Sequence, residues 1–181
     1  LALLNFSGDF ERQAGEIQLR GALFIAADLA ELPAPLLEQD AHLGVARAAL
    51  EFLKEKLAED GLKIRYGLPR QKLSNIEREV IDMEVMLRSA WLVVIKAVWM
   101  ADNRKANSKE ASMSKLRAGD VVTKITQRAV EILGPKGYSR DYLVEKWFRD
   151  AKISDIYEGT GQINRMIVAR NVLGYTGREL R

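Results

Sequence analysis

Apolar side chains recur every three or four residues along most of this chain, and that recurrence predicts helices. Phe10, Ala14, Ile17, Gly21, Phe24 and Ala27 mark a helix over Asp9 to Leu32, capped by Ser7 or Asp9. Pro33 and Pro35 end it, because each ring removes a donor and biases its predecessor toward extended geometry. Leu43, Ala46, Leu50, Leu53 and Leu57 share one face of a second helix from Leu37 to Asp60, closed by Gly61. A turn at Tyr66-Gly67-Leu68-Pro69 leads to a third, Ser74 to Asp102, with Ile76, Val80, Met83, Leu87, Ala90, Val94 and Ala97 in register. A fourth, Asn107 to Leu133, aligns Ala111, Ser114, Ala118, Val121, Ile125, Ala129 and Ile132 ahead of Gly134-Pro135. Shorter helices follow over Asp141 to Phe148 and Thr160 to Leu173, the last closed by Gly174. No stretch alternates as a strand would. The pattern predicts an all-α fold, an antiparallel up-and-down four-helix-type bundle. It divides the chain into an N-terminal helical segment with its Pro-containing linker, residues 1–36, and the bundle itself, residues 37–181.

Composition narrows the chemistry. The chain has 181 residues, 48% hydrophobic and 29% charged, a balance that fits one globular unit. Lys and Arg number 28 against 25 Asp and Glu, interleaved throughout, so no nucleic-acid partner is expected. The absence of cysteine excludes disulfides and thiol catalysis. His42 is the sole histidine, and Gln39 rather than Glu stands three residues before it, so no metal site is expected. His42 is read as making local hydrogen bonds near a helix start. The most apolar run, Ala90 to Met100, contains Lys96 and falls short of the roughly 20 residues a membrane span needs. The opening residues lack both a basic start and a small-residue cleavage site, so a cytoplasmic location is expected. Trp91, Trp99 and Trp147 read as core or interface filler, and Arg65, Arg70 and Lys72 as the solvated rim of a turn.

The stretch from Trp147 to Arg170 carries the candidate chemistry. It places Glu158 in a short loop before the last helix, behind Tyr157 and ahead of Gly159 and Gly161. A carboxylate among apolar and aromatic neighbours is poorly hydrated, which raises its pKa and suits a general base. The glycines allow close backbone approach to a ligand, and Thr160 as N-cap leaves N–H groups for an anion or carbonyl. A Glu near a helix start also serves as a simple dipole partner, and the residues alone leave both readings open.

The run RDAKISDIYEGTGQINRMIVAR, with AVEILGPKGY, DYLVEKWF, RYGLP and GVARAALEFL before it, resembles the C-terminal domain of the acyl-CoA dehydrogenases, over roughly Gly44 to Tyr175. The resemblance implies an FAD-dependent oxidation of acyl-CoA to trans-2-enoyl-CoA, in which Glu158 removes the α proton and its own N–H polarises the thioester carbonyl. Thr160 and Gln162 match positions that contact FAD, and Tyr157 and Gly159 match residues that line the thioester. Some branches carry the base on the first long helix instead, where Leu37 stands here beside Glu38. Lys63 replaces an Arg, Ser74 replaces a Gln, and Glu131-Ile132-Leu133-Gly134-Pro135 replaces an element that contacts a neighbouring subunit's FAD. Pro135 has no N–H to give, so Lys63, Arg65 or Lys136 would supply charge to the pyrophosphate. The implied partners are an acyl-CoA substrate, further copies in a dimer or tetramer, and an electron-transfer flavoprotein. The family's flavin and substrate domains lie outside the match, so the isolated chain is expected to be inactive. Two alternatives stand beside this reading: a non-catalytic assembly module of the same descent, and a related flavin oxidase.

Overall fold

The computed structural model describes residues 34–157, 159–176 and 179. The helix expected over Asp9 to Leu32 and the residue Glu158 lie outside the described residues. Among the described residues five α-helices follow one another: α1 (Ala34–Glu59), α2 (Asn75–Asp102), α3 (Ser108–Leu133), α4 (Val144–Ala151) and α5 (Gly161–Leu173). Single 3₁₀ turns occupy Arg70–Lys72, Gly134–Lys136 and Lys152–Asp155, and no strand occurs among the described residues. The all-α expectation holds.

Two boundaries differ from the pattern reading. α1 starts at Ala34 rather than Leu37, with Pro35 in its first turn, where the missing N–H had no intrahelical acceptor to lose. α4 starts at Val144 rather than Asp141, because the Asp141 N–H donates to Ser139 Oγ (3.2 Å) in a local turn that competes with the helix. Its far end runs to Ala151 and on into the 3₁₀ turn.

Cross-helix contacts fix the directions. Arg128 on α3 pairs with Glu79 on α2, Arg117 Nη2 donates to Ser89 Oγ (3.2 Å), and Asn107 Nδ2 donates to the Ala97 carbonyl (3.1 Å). Numbers that rise along α3 as they fall along α2 mean an antiparallel pair. Lys54 Nζ lies 3.6 Å from Glu84 Oε1, which sets α1 beside α2. α3 is central and packs against all four other helices.

The core contains the residues that the spacing aligned. Leu43, Ala46, Leu50, Leu53 and Leu57 are buried with Val80, Met83, Leu87, Ala90 and Val94, and with Ala118, Val121, Ile125 and Ala129. Ile76, Ala111 and Ile132, nearer the helix ends, are only part-buried. Trp91 and Trp147 pack against this core as filler. Trp99 is instead 51% exposed, with Lys105 Nζ 4.3 Å from its ring centroid.

Arg65, Arg70 and Lys72 are exposed around the turn before α2, as a rim would be, and Arg65 and Arg70 also pair with carboxylates of α2. Ser74 caps α2 in a reciprocal box: the Glu77 N–H donates to Ser74 Oγ, and the Ser74 N–H donates to Glu77 Oε2 (2.8 Å). Arg65 grips the same carboxylate with Nε and Nη2, both at 2.7 Å. Glu77 is 2% exposed, and Arg65 followed by the Ser74 N–H holds its carboxyl well below the usual carboxylate range. Arg70 likewise forms a two-point pair with Asp82 (2.8 and 2.9 Å).

Candidate functional site: the loop entering α5

The 3₁₀ turn after α4 delivers Tyr157 against the lower half of the bundle. Its N–H donates to the Ile153 carbonyl (3.2 Å), and its hydroxyl shares a 2.5 Å hydrogen bond with His42 Nε2 on α1. The two rings meet edge to face, with centroids 5.5 Å apart at 89°. Lys115 on α3 sets its ammonium 4.2 Å from the tyrosine ring centroid. His42 and Lys115 are each 6% exposed. Burial first, and then the Lys115 charge, push the His42 pKa down to about 4, so the imidazole is neutral at neutral pH. The expectation of a locally bonded His42 is therefore corrected. It sits in the packed seam beside Leu43 and Ala46 and bonds across 115 residues of sequence.

Beyond position 158 the chain is tethered again. Gly159 has φ +98°, a left-handed conformation that a side chain would strain. Asn164 Nδ2 donates to the Gly159 carbonyl (2.8 Å) and the Thr160 carbonyl (3.1 Å), and Asn164 is itself buried. Thr160 caps α5, its Oγ1 accepting from the Ile163 N–H (3.4 Å). At Gly161 a Cβ would fall 2.4 Å from Asp155 Oδ1, so a side chain there would push the Asp155 carboxylate aside. Tyr157, Gly159, Thr160 and Gln162 thus share one short loop anchored to α1, α3 and α5, and the predicted base Glu158 lies between them in sequence, outside the described residues.

Lys63, Arg65 and Gly134 lie elsewhere. They cluster at the opposite end of the bundle, where Lys136 Nζ also pairs with Asp60 Oδ1 (2.8 Å). Nineteen residues of α3 separate Lys115 from Gly134, about 28 Å at the helical rise. That end is a different surface from the loop, which suits the neighbouring-subunit contacts that the resemblance implies. Arg65 commits Nε and Nη2 to Glu77, so that edge of its guanidinium is not offered as a two-point fork to a pyrophosphate. Lys63 is exposed, and Gly134 takes φ +56° as it closes α3. At the loop end, the residues expected to meet a flavin fit a polar edge. Thr160 keeps its own O–H to donate while accepting the cap bond, and Gln162 is exposed on the first turn of α5.

Single-column pattern reading missed His42, Lys115 and Asn164. A polar residue interrupting the apolar seam of α1 was the available signal for His42. Lys115 escaped because α3, being central, is buried on a second face that includes Val122 and Thr126.

The described residues form an all-α domain with one tethered turn at the start of its last helix. Residues 41–173 match the family model described as acyl-CoA dehydrogenase, C-terminal domain, and the chain belongs to that family. The short-chain specific acyl-CoA dehydrogenase of Rattus norvegicus mitochondria is 40% identical over 131 residues, 72% of this chain and 31% of that protein. A glutaryl-coenzyme A dehydrogenase in complex with glutaryl-CoA superposes with a TM-score of 0.67 at 30% identity, covering 78% of this chain and 35% of that one. A structure described as the electron transferring flavoprotein of Acidaminococcus fermentans gives a TM-score of 0.67 at 32% identity, covering 77% and 36%. The chain spans about a third of the length of these relatives. No helix among the described residues is long and apolar enough to cross a membrane.

Proposed function

We propose that this chain is the C-terminal helical part of an FAD-dependent acyl-CoA dehydrogenase that oxidises acyl-CoA to trans-2-enoyl-CoA, with Glu158 as the base for the α proton. The observation that carries the reading is the loop entering α5, whose two flanks of position 158 are tethered to three different helices. Such anchoring is what a base needs, since a misplacement of about 1 Å costs on the order of a hundredfold in rate. Glu158 takes the proton, and its backbone N–H polarises the thioester carbonyl, which makes the α C–H acidic enough for a carboxylate. Flavin, when bound, supplies the acceptor for hydride from the β carbon. Thr160 and Gln162 bind its polar edge, and Tyr157 and Gly159 line the thioester. Lys63 and Gly134 face the cofactor of a neighbouring copy, and an electron-transfer flavoprotein receives the electrons.

In the flavin-loaded holoenzyme, acyl-CoA is expected to bleach the flavin absorption band, and Glu158→Gln is expected to abolish that bleaching. Bleaching at the wild-type rate removes Glu158 as the base. A second reading, an assembly module without chemistry, draws on two features: the commitment of Arg65 to Glu77, and an exposed apolar stripe on α2 made by Val85, Leu92, Ile95 and Trp99. It predicts a purified full-length protein with no flavin band at all.

A further inference from the structure

The chemistry above leaves unused the buried polar residues that hold Tyr157. His42 is the more telling of them. An apolar side chain at position 42 would fill the same seam without the cost of burying an imidazole. Nδ1 of His42 has no hydrogen-bond partner among the described residues, so the bond from Nε2 to Tyr157 is the polar contact that the imidazole adds. The tyrosine is then held at its hydroxyl by His42, at its edge by the same ring, and over its face by Lys115. A side chain fixed on three sides keeps one rotamer, and ordering it costs nothing further when a ligand arrives.

We propose that His42 is a positioning residue for the acyl-CoA site: its Nε2 fixes the Tyr157 phenol, and through it the register of the chain leading into α5. The inference rests on reading this loop as the thioester site. His42 touches no substrate in this role. It acts through Tyr157, which presents a preset wall, and through the backbone that continues from Tyr157 toward α5.

Two measurements test it. In a ¹⁵N-labelled holoenzyme containing this chain, the imidazole nitrogen signals lost in His42→Gln are those of His42. Tyr157→Phe is expected to shift the Nε2 signal near neutral pH, and an unmoved Nε2 signal overturns the contact. The second measurement is flavin bleaching in the holoenzyme containing this chain, with butyryl-CoA as the probe. His42→Phe keeps a ring in the seam and loses the bond, so the rate at saturating probe falls about tenfold. Tyr157→Phe falls by a similar factor, and the double variant falls little further. His42→Gln, which sets an amide group near the place of Nε2, recovers to within about threefold of wild type. A Gln variant as slow as the Phe variant assigns the effect to packing and overturns the inference. Equal rates for wild type and His42→Phe overturn it too, while leaving the dehydrogenase reading intact. If His42→Phe fails to fold, Tyr157→Phe and His42→Gln carry the comparison. A wild-type holoenzyme whose flavin neither butyryl-CoA nor longer acyl-CoA bleaches defeats the dehydrogenase reading and the positioning role with it, and the Nε2 signal then reports the contact alone.

Discussion

His42 shows what a single buried polar residue does to the rest of the molecule. Its pKa in the folded chain is pushed from the ordinary 6.5 to about 4, so between those values the unfolded chain takes up a proton that the folded chain refuses. Stability therefore falls as pH falls through that window and levels off below it. Among the described residues, the groups facing the imidazole are Lys115 from α3 and Tyr157 from the loop. Urea unfolding of wild type and His42→Phe across this range is expected to show the wild type losing ground to the variant as pH drops. Parallel curves would mean that His42 titrates normally. Glu77 also ties stability to acid, but its depressed pKa places that loss lower on the scale, and it is common to both proteins. Gly161 gives a second test at this scale. Gly161→Ala puts a methyl group against the Asp155 carboxylate, whose flexible end can turn aside, so the change is expected to move stability in urea melts by less than about 1 kcal/mol.

Helix limits were mostly legible where a residue does one job. Gly61, Gly134 and Gly174 stop α1, α3 and α5 with positive φ, as their positions after the last apolar residue implied. Pro35 lies in the first turn of α1, since proline both breaks a helix interior and opens a helix; whether it also ends the segment before it lies outside the described residues. The 3₁₀ turn Lys152–Asp155 was not legible at all: four residues hold too few periods to register. The start of α2 depends on Ser74, and Ser74→Ala is expected to cost about 1 kcal/mol of stability by thermal or urea melts. Leu53, fully buried on α1, is expected to cost about 2–5 kcal/mol when replaced by Ala. Equal losses at the two positions would contradict the different roles assigned to cap and core.

At the scale of the whole molecule, one long helix face has no partner among the described residues. Val85, Leu92, Ile95 and Trp99 lie on α2 at helical spacing, and Leu92 is 69% exposed. A second copy of the chain is the occupant that the family resemblance implies. Leu92→Asp is expected to lower the solution mass measured by light scattering toward that of one chain, while the wild type stays larger. A monomeric wild type would end that assignment. The separation of Gly134 from the loop belongs to the same scale: on the proposed reading, that end of the bundle meets the cofactor of a neighbouring copy.

The hydrophobic period by itself determined the helices of the described residues, the all-α class and most of the core positions, because burial of one face per helix is a local property repeated along the chain. The motif around Tyr157, Gly159 and Thr160 was legible for the same reason: its residues are neighbours in sequence. Tertiary structure alone decided that His42 meets Tyr157, that Lys115 covers its ring, and that Arg65 is committed to Glu77. Those pairings join residues from different helices or across a connecting turn. Their partners are fixed by how α3 packs at the centre of the bundle and how the chain turns back on it, and no pattern confined to one segment encodes that geometry.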